Sequence, residues 1–303
     1  MAEDVWILGI SMTKFGKHRD KDVIDLASAA AFGALTDAGI GLREVGMLAA
    51  GCLTGGSSTF GQQLLKQIGQ TGIPVFNVAN ACATGATALR VAIMAVKAGE
   101  ADFGLAVGVE YGASQDGEVS FELFARIAEK NHAHSTLNPL AAYSKRFTLD
   151  EIMNDVMIAY PNTRPMCSAN CDGAAAAIVV SDNKLKTLSL SQRLRAVKIS
   201  ASVLTSDPWQ EACQVLPDVN TLTRQAADQA YEQAGVGPDE VDLVELHDCF
   251  ATAELVHYDN LRLCEPGGAV DLFNSGATWR DGLVQPAPLR ARSPPRPRIT
   301  LVP

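Results

Sequence analysis

A nine-residue phrase occurs twice in this chain. Asp37-Ala38-Gly39-Ile40-Gly41-Leu42-Arg43-Glu44-Val45 aligns with Gln233-Ala234-Gly235-Val236-Gly237-Pro238-Asp239-Glu240-Val241, with five of nine positions identical at an offset of 196 residues. Each copy follows an alanine-rich helical stretch (Asp25–Ala38, Asn220–Ala234) and precedes an apolar run (Met47–Cys52, Val241–Leu246). Matching letters within matching element order imply an internal duplication. The chain has 303 residues and 47% hydrophobic content, enough for two α/β halves with a substantial core. A seam between two such halves is a natural place for a site.

The element order supports this reading. Val5–Ile10 reads as a buried strand, Val75–Val78 as a strand, Thr84–Lys97 as a helix and Phe103–Val109 as a strand. Gly39 and Gly99 stand where helix stops belong. Strands alternating with helices predict βαβ units and a largely parallel sheet. Farther on, Ala174–Ser181, Leu194–Leu204 and Val241–Leu246 read as strands and Phe250–Leu263 as a helix. Abundant Ala and Gly, with only 6% aromatic residues, predict helices packed closely on sheets. Gly112–Ala159 is more polar, carries Asn138-Pro139, and reads as an inserted loop region over the first half, the kind that covers active sites. The expected organisation is residues 1–111 as the first half, 112–165 as the insertion, 166–182 as a return strand, 183–282 as the second half and 283–303 as a tail. That tail holds six of the fourteen prolines and four arginines with no acid, and proline at this density opposes helix and sheet alike. It is expected to be irregular; a basic, proline-rich recognition segment is the alternative.

Cys82 is the first candidate for chemistry. It lies in Asn80-Ala81-Cys82-Ala83-Thr84-Gly85, between the expected strand and the expected helix. A helix N-terminus carries about half a positive charge and outward N–H groups, which favour thiolate over thiol. The thiolate is the nucleophile. Asn80, Ala83, Thr84 and Gly85 are small enough for a substrate to approach. A small buried core cysteine is the competing reading.

A second cluster, His247-Asp248-Cys249, ends the repeated apolar run Val241–Leu246. Reactive residues at a strand's carboxyl end are where open α/β sheets bind ligands. His247 could donate to a developing oxyanion and Cys249 could exchange protons. Alternatively His247 and Asp248 cap the following helix while Cys249 packs. His132 and His134 alternate in Lys130–Ser135 and read as loop or pocket-lining residues. Cys167 and Cys171 lack a matching pair for a zinc set. The chain has no Gly-x-Ser-x-Gly elbow, Walker lysine loop or dinucleotide glycine fingerprint. Gly55–Gly61 reads as a plain flexible loop.

Charge and cysteine usage narrow the context. The net charge of −9 becomes −13 (21 basic against 34 acidic residues) without the tail, and gives no reason to expect nucleic acid. No apolar run approaches the roughly 20 residues of a membrane span, and the first residues, Met1-Ala2-Glu3-Asp4-Val5, do not resemble a secretory signal. Seven irregularly spaced cysteines argue against a disulfide scaffold and for a reducing compartment. The cytoplasm is expected, with the peroxisome as alternative, although Thr300-Leu301-Val302-Pro303 is no peroxisomal address.

The chain resembles the thiolase superfamily, in particular the sterol-carrier-protein-X type of 3-ketoacyl-CoA thiolase. The resemblance rests on Met12-Thr13-Lys14-Phe15, Thr71-Gly72-Ile73-Pro74, Asn77–Gly85, Gly108-Val109-Glu110, Lys130-Asn131-His132, Asp172–Ala177 and Glu245–Phe250. It implies an α/β fold of duplicated halves in a layered α-β-α-β-α sandwich, here with an incomplete second half, and a homodimer. It implies that Cys82 attacks the keto carbon of a 3-oxoacyl-CoA, His247 orients an oxyanion-stabilising water, and Cys249 protonates the departing enolate. Asn80, Thr84, Gly85, His132 and Phe250 would bind substrate. CoA would be co-substrate, with no tightly bound cofactor or metal. The family's late Gly-His-Pro motif, whose histidine activates the nucleophile, is absent from this sequence. The tail is expected to replace that stretch through a change of reading frame or an altered end. Loss of such a base costs about 10²- to 10⁴-fold. Two further readings follow: a thiolase-like aldolase on steroid or lipid CoA thioesters, against which the Cys82 context argues, and a non-catalytic acyl-CoA or lipid binder.

Overall fold

The computed structural model describes residues 4–18, 20–53, 58–110, 121–168, 171–206 and 219–279. The tail 283–303, the stretch 112–120 and residues 54–57 lie outside the described residues. In chain order the elements are β1 (Val5–Met12), α1 (Val23–Ala38), β2 (Met47–Cys52), α2 (Phe60–Ile68), β3 (Val75–Val78), α3 (Thr84–Lys97) and β4 (Phe103–Glu110). Next come α4 (Phe121–Ser135), α5 (Leu149–Met153), β5 (Met157–Ala159), β6 (Asn162–Thr163), β7 (Gly173–Ser181), α6 (Asp182–Thr187), α7 (Leu190–Arg195) and β8 (Val197–Lys198). Helices α8 (Val219–Ala234), α9 (Ala251–Asn260) and α10 (Ala269–Asn274) follow. They divide between two compact units, one from within 1–113 and 170–202, the other from within 114–169 and 203–303.

The first unit is a six-stranded sheet in the order β3-β2-β4-β7-β1-β8. The β2–β3 and β2–β4 pairs are parallel, as two successive βαβ crossovers require. The β4–β7, β7–β1 and β1–β8 pairs are antiparallel. The sheet is therefore mixed rather than largely parallel. The reason is the long excursion between β4 and β7, which brings the chain back in the opposite direction without a βαβ crossover.

Helix α1 shows how the sequence seats a helix here. Asp22 caps it, accepting from Asp25 N–H at 2.8 Å while Asp25 accepts from Asp22 N–H at 3.2 Å. Its Ala27, Ala30, Ala31, Ala34 and Ala38 are fully buried. A Cβ on Gly9 of β1 would lie 2.4 Å from Ala38 N and 2.6 Å from Ala34 O. Alanine on the helix and glycine on the strand thus let two backbones touch, which accounts for the composition. The Phe15 ring likewise lies against Gly173, and Gly16 bridges Asp172, so two of the motifs behind the resemblance meet in space.

The duplication holds at the level of hydrogen bonds. Gly39 (φ 67°) and Gly235 (φ 68°) end α1 and α8 in the same left-handed conformation. Gly41 N–H and Gly237 N–H each donate to a carboxylate three residues on, Glu44 and Glu240, at 2.9 Å. Both copies then form a 3-10 turn, Leu42–Glu44 and Pro238–Glu240. The copies diverge afterwards. Met47–Cys52 becomes the buried strand β2, whereas Val241–Leu246 pairs with no strand among the described residues and Leu243 is 58% exposed. The expected strand Leu194–Leu204 shrinks to β8, with Leu194 closing α7. An apolar run becomes a strand only when a neighbour supplies ladder partners, and local sequence does not encode that neighbour.

The second unit is built from α4, α5, α8, α9 and α10 with the β5–β6 hairpin. Phe124, Ile127, Ala128, Ile152 and Met166 form a core with Ala251, Tyr258 and Phe273. Within the stretch expected as an inserted loop region, α4 and α5 supply half of this core.

Gly39→Ala and Gly235→Ala should each destabilise by about 1 kcal/mol, because each forces a Cβ into the left-handed region. Gly108→Ala should cost more, about 2–3 kcal/mol, because its Cβ would fall 2.7 Å from the Gly85 backbone. Urea unfolding of the three variants checks the order; equal losses would contradict it.

Candidate active site

Strand β3 delivers the chain to a tight turn that ends in α3. Gly51 of β2 and Gly108 of β4 make room for the helix start: a Cβ on Gly51 would sit 2.6 Å from Thr84 Cγ2. Within the turn, Ala83 N–H donates to Asn80 O (2.9 Å) and Thr84 N–H to Ala81 O (3.1 Å). Ala81 carries φ 43°, an uncommon conformation for a residue with a side chain. The Thr84 hydroxyl accepts from Asn80 N–H (2.8 Å) and donates to Ala81 O (2.7 Å), and Asn80 Nδ2 donates to Thr87 Oγ1 (3.0 Å). These bonds fix the backbone on both sides of Cys82. The Cys82 side chain is exposed, immediately ahead of the N-cap residue Ala83. It is not the buried core cysteine of the competing reading. Gly85 is exposed, whereas Thr84 is buried and its hydroxyl is spent within the turn. Thr84 and Asn80 act here as builders of the turn.

In the second unit His247, Asp248, Cys249 and Phe250 lead directly into α9. Phe250 is its N-cap, without a side-chain capping bond, so neither His247 nor Asp248 occupies that position. Cys249 O accepts from Ser168 N–H (2.9 Å), and Phe250 forms a β-bridge with Cys167. His247 is exposed; Asp248, Cys249 and Phe250 are half-buried.

A buried polar group lies behind this turn. Asn131 Nδ2 donates both its hydrogens, to Asp248 Oδ2 (2.8 Å) and Glu254 Oε2 (2.9 Å). Glu254 Oε1 accepts from Lys130 Nζ and the Tyr258 hydroxyl. Lys130, Glu254 and Tyr258 are fully buried. Burial pushes the Lys130 ammonium down, opposed by Glu254. Burial, and then the Glu254 charge, raise the Tyr258 phenol. Burial, followed by Glu254, pushes the Asp248 carboxyl up to about 7. Burial and the neighbouring His247 hold the His257 ring low.

His132 belongs to the last turn of α4 rather than to a loop. It is buried between Phe147 and Tyr143, with ring centroids at 4.6 and 5.2 Å, and its Nε2 meets Pro165 O at 2.9 Å. Burial lowers its pKa. His134 stacks edge-on against Trp279. Sequence reasoning did not single out Glu254 and Tyr258. Their signal was a carboxylate and a phenol one helical turn apart on α9, after a His-Asp-Cys run. Lys130 and Asn131 were visible only as neighbours of His132.

Comparison with known proteins places these features. The family model for the N-terminal domain of thiolase matches residues 5–160, and that for a thiolase C-terminal domain-like region matches 209–286. Sterol carrier protein 2 of Gallus gallus is 33% identical over 91% of the chain, and the chain spans 59% of that relative's length. Benzoylsuccinyl-CoA thiolase subunit BbsB of Thauera aromatica is 31% identical, with 93% of this chain and 81% of that protein covered. Among solved structures, an Ltp2-ChsH2(DUF35) aldolase superposes with a TM-score of 0.78 at 21% identity, covering 92% of this chain and 82% of that one. At that identity the likeness speaks for the fold alone. With both family models matched, an exposed cysteine heading α3 and a thiolase-like relative aligned along most of its length, the chain belongs to the thiolase family.

Proposed function

We propose that this chain is a thiolase-type acyltransferase acting on a 3-oxoacyl-CoA, with Cys82 as the nucleophile. The observation that carries the reading is the exposure of Cys82 at the head of α3, in a turn whose backbone is tied by Asn80 and Thr84.

In this reading the Cys82 thiolate attacks the keto carbon, and the electron pair moves onto the carbonyl oxygen. His247 steadies that oxyanion through a water. As the carbonyl reforms, the bond between the keto carbon and the α-carbon breaks. Cys249 protonates the departing enolate, which leaves as a shortened CoA thioester. The acyl group on sulfur then passes to the thiol of free CoA, which regenerates the cysteine. The protein is further proposed to act as a homodimer on lipid or sterol side-chain thioesters in the cytoplasm, in keeping with its relatives named for sterol carriage.

Incubation with a 3-oxoacyl-CoA should leave an acyl adduct on Cys82, seen by peptide mass spectrometry and absent from Cys82→Ala. Thiolysis should fall about 10³-fold or more in that variant. His247→Ala should lower turnover about 10²- to 10³-fold with the adduct still forming slowly. Carbon–carbon cleavage that survives Cys82→Ala would replace the reading with an aldolase. Acyl-CoA binding with neither adduct nor cleavage would replace it with a non-catalytic binder.

A further inference from the structure

Among the described residues, no helix or sheet ladder holds the stretch that carries His247 and Cys249. Val241–Leu246 pairs with no strand, and α9 starts only at Ala251. Bonds from outside the stretch hold it instead. Ser168 N–H donates to Cys249 O (2.9 Å), and Cys167 bridges Phe250. From α4, Asn131 Nδ2 donates to Asp248 Oδ2 at 2.8 Å. Asp248 stands between His247 and Cys249 in the chain. A bond to its side chain and a bond to the next carbonyl therefore fix the backbone at two adjacent residues.

Asn131 is itself fixed. It is 8% exposed, and its second hydrogen goes to Glu254 Oε2 at 2.9 Å. Glu254 accepts from Lys130 and Tyr258, and all three are fully buried. Turning the amide over would set Oδ1 against two carboxylates and lose both bonds, so the group has one orientation. The anchor of the turn is a buried group that joins α4 to α9.

We propose that Asn131 is a positioning residue for the His247–Cys249 turn. By tying the Asp248 side chain to the Lys130–Glu254–Tyr258 group, it fixes the backbone on which His247 and Cys249 stand. What the bonds transmit is position, and the Asp248 carboxyl serves as an acceptor. A misplacement of about 1 Å at a reacting group can cost about 10²-fold in rate. A stretch without ladder bonds has that freedom unless contacts from other elements remove it. The effect on catalysis rests on the roles proposed above for His247 and Cys249; the anchoring itself does not.

The test compares Asp248→Ala with Asp248→Asn in the full chain. Alanine removes the acceptor; asparagine keeps an acceptor oxygen without the charge. The first readout is amide hydrogen exchange at Ser168, whose N–H is bonded to Cys249 O. Exchange there should speed up about tenfold in Asp248→Ala and return to within about threefold of the unaltered rate in Asp248→Asn, while amides in the middle of α4 and α9 keep their rates. The second readout is turnover of a 3-oxoacyl-CoA. In Asp248→Ala kcat should fall about 10²-fold with KM unchanged, and most of it should return in Asp248→Asn. Asn131→Ala should speed Ser168 exchange at least as much, and adding Asp248→Ala to it should bring no further rise, because both cut the same bond. Unaltered Ser168 exchange in Asp248→Ala overturns the proposal. So does loosening that spreads evenly through α4 and α9, a loss that asparagine does not restore, or an active protein whose kcat stays put while Ser168 exchange rises. Where Asn131→Ala does not fold, the Asp248 pair decides alone. An unaltered protein that cleaves no 3-oxoacyl-CoA would sink the proposed function, and the exchange result would still decide the anchoring.

Discussion

Close approach of backbones is the constraint on which the first unit depends. A helix can touch a sheet at this distance only where one of the two facing residues has no Cβ. Contacts of this kind seat α1 and α3. Gly9 receives Ala34 and Ala38 of α1, and Gly51 with Gly108 receives Thr84 and Gly85 of α3. The second contact determines where α3 begins, and with it where the preceding turn must stand. A larger residue at Gly108 would lift the helix start, and Cys82 would move with it. The position of the thiol is thus set by glycines on two neighbouring strands, not by the residues next to it alone.

Those local elements were largely legible from the sequence. The helix Thr84–Lys97 lies where its letters put it, and α1 gains two residues because Asp22 with Asp25 makes a capping box ahead of the expected start. Gly39 and Gly235 adopt matching left-handed conformations, so a short repeat in letters corresponds to a repeated geometry. Hydrogen bonds of this kind close within a few residues and are encoded where they act. Pairing between distant strands is not. The direction of β7 follows from an excursion of some sixty residues, and no letter within β7 records it. The two copies of the repeat make the same point. Both build the cap and the 3-10 turn, yet only the first passes into a strand, because β3 and β4 flank it.

The candidate site divides along the same line. Cys82, with its small neighbours at a strand–helix junction, could be read directly. The role of Asn80 and Thr84 could not, since only the folded turn shows their polar groups turned back onto the backbone. His132 looked like a lining residue by its spacing from His134. The fold places it in the last turn of α4, against the rings of Phe147 and Tyr143, with a ring nitrogen on a carbonyl. Glu254 and Lys130 are 124 residues apart and meet only through the packing of α4 on α9.

That meeting is hard to account for by stability. Burying an ammonium and a carboxylate costs several kcal/mol per ion, and a matched apolar pair is often as stable or more so. The cost is offset here because Glu254 is saturated: Lys130 and Tyr258 occupy one oxygen and Asn131 the other. The saturation is not free of loss, since Asn131 Oδ1 is buried without a partner, a deficit of about 1–3 kcal/mol. An apolar core would avoid both penalties. It could not hold Asn131 in one orientation, however, because a carboxamide is oriented only by partners that distinguish its oxygen from its nitrogen. Two carboxylates facing Nδ2 make that distinction, and one of them belongs to the residue before Cys249. The buried charges therefore supply direction more than cohesion, at the one place in the second unit where a thiol, a histidine and a carboxyl group follow one another in the chain.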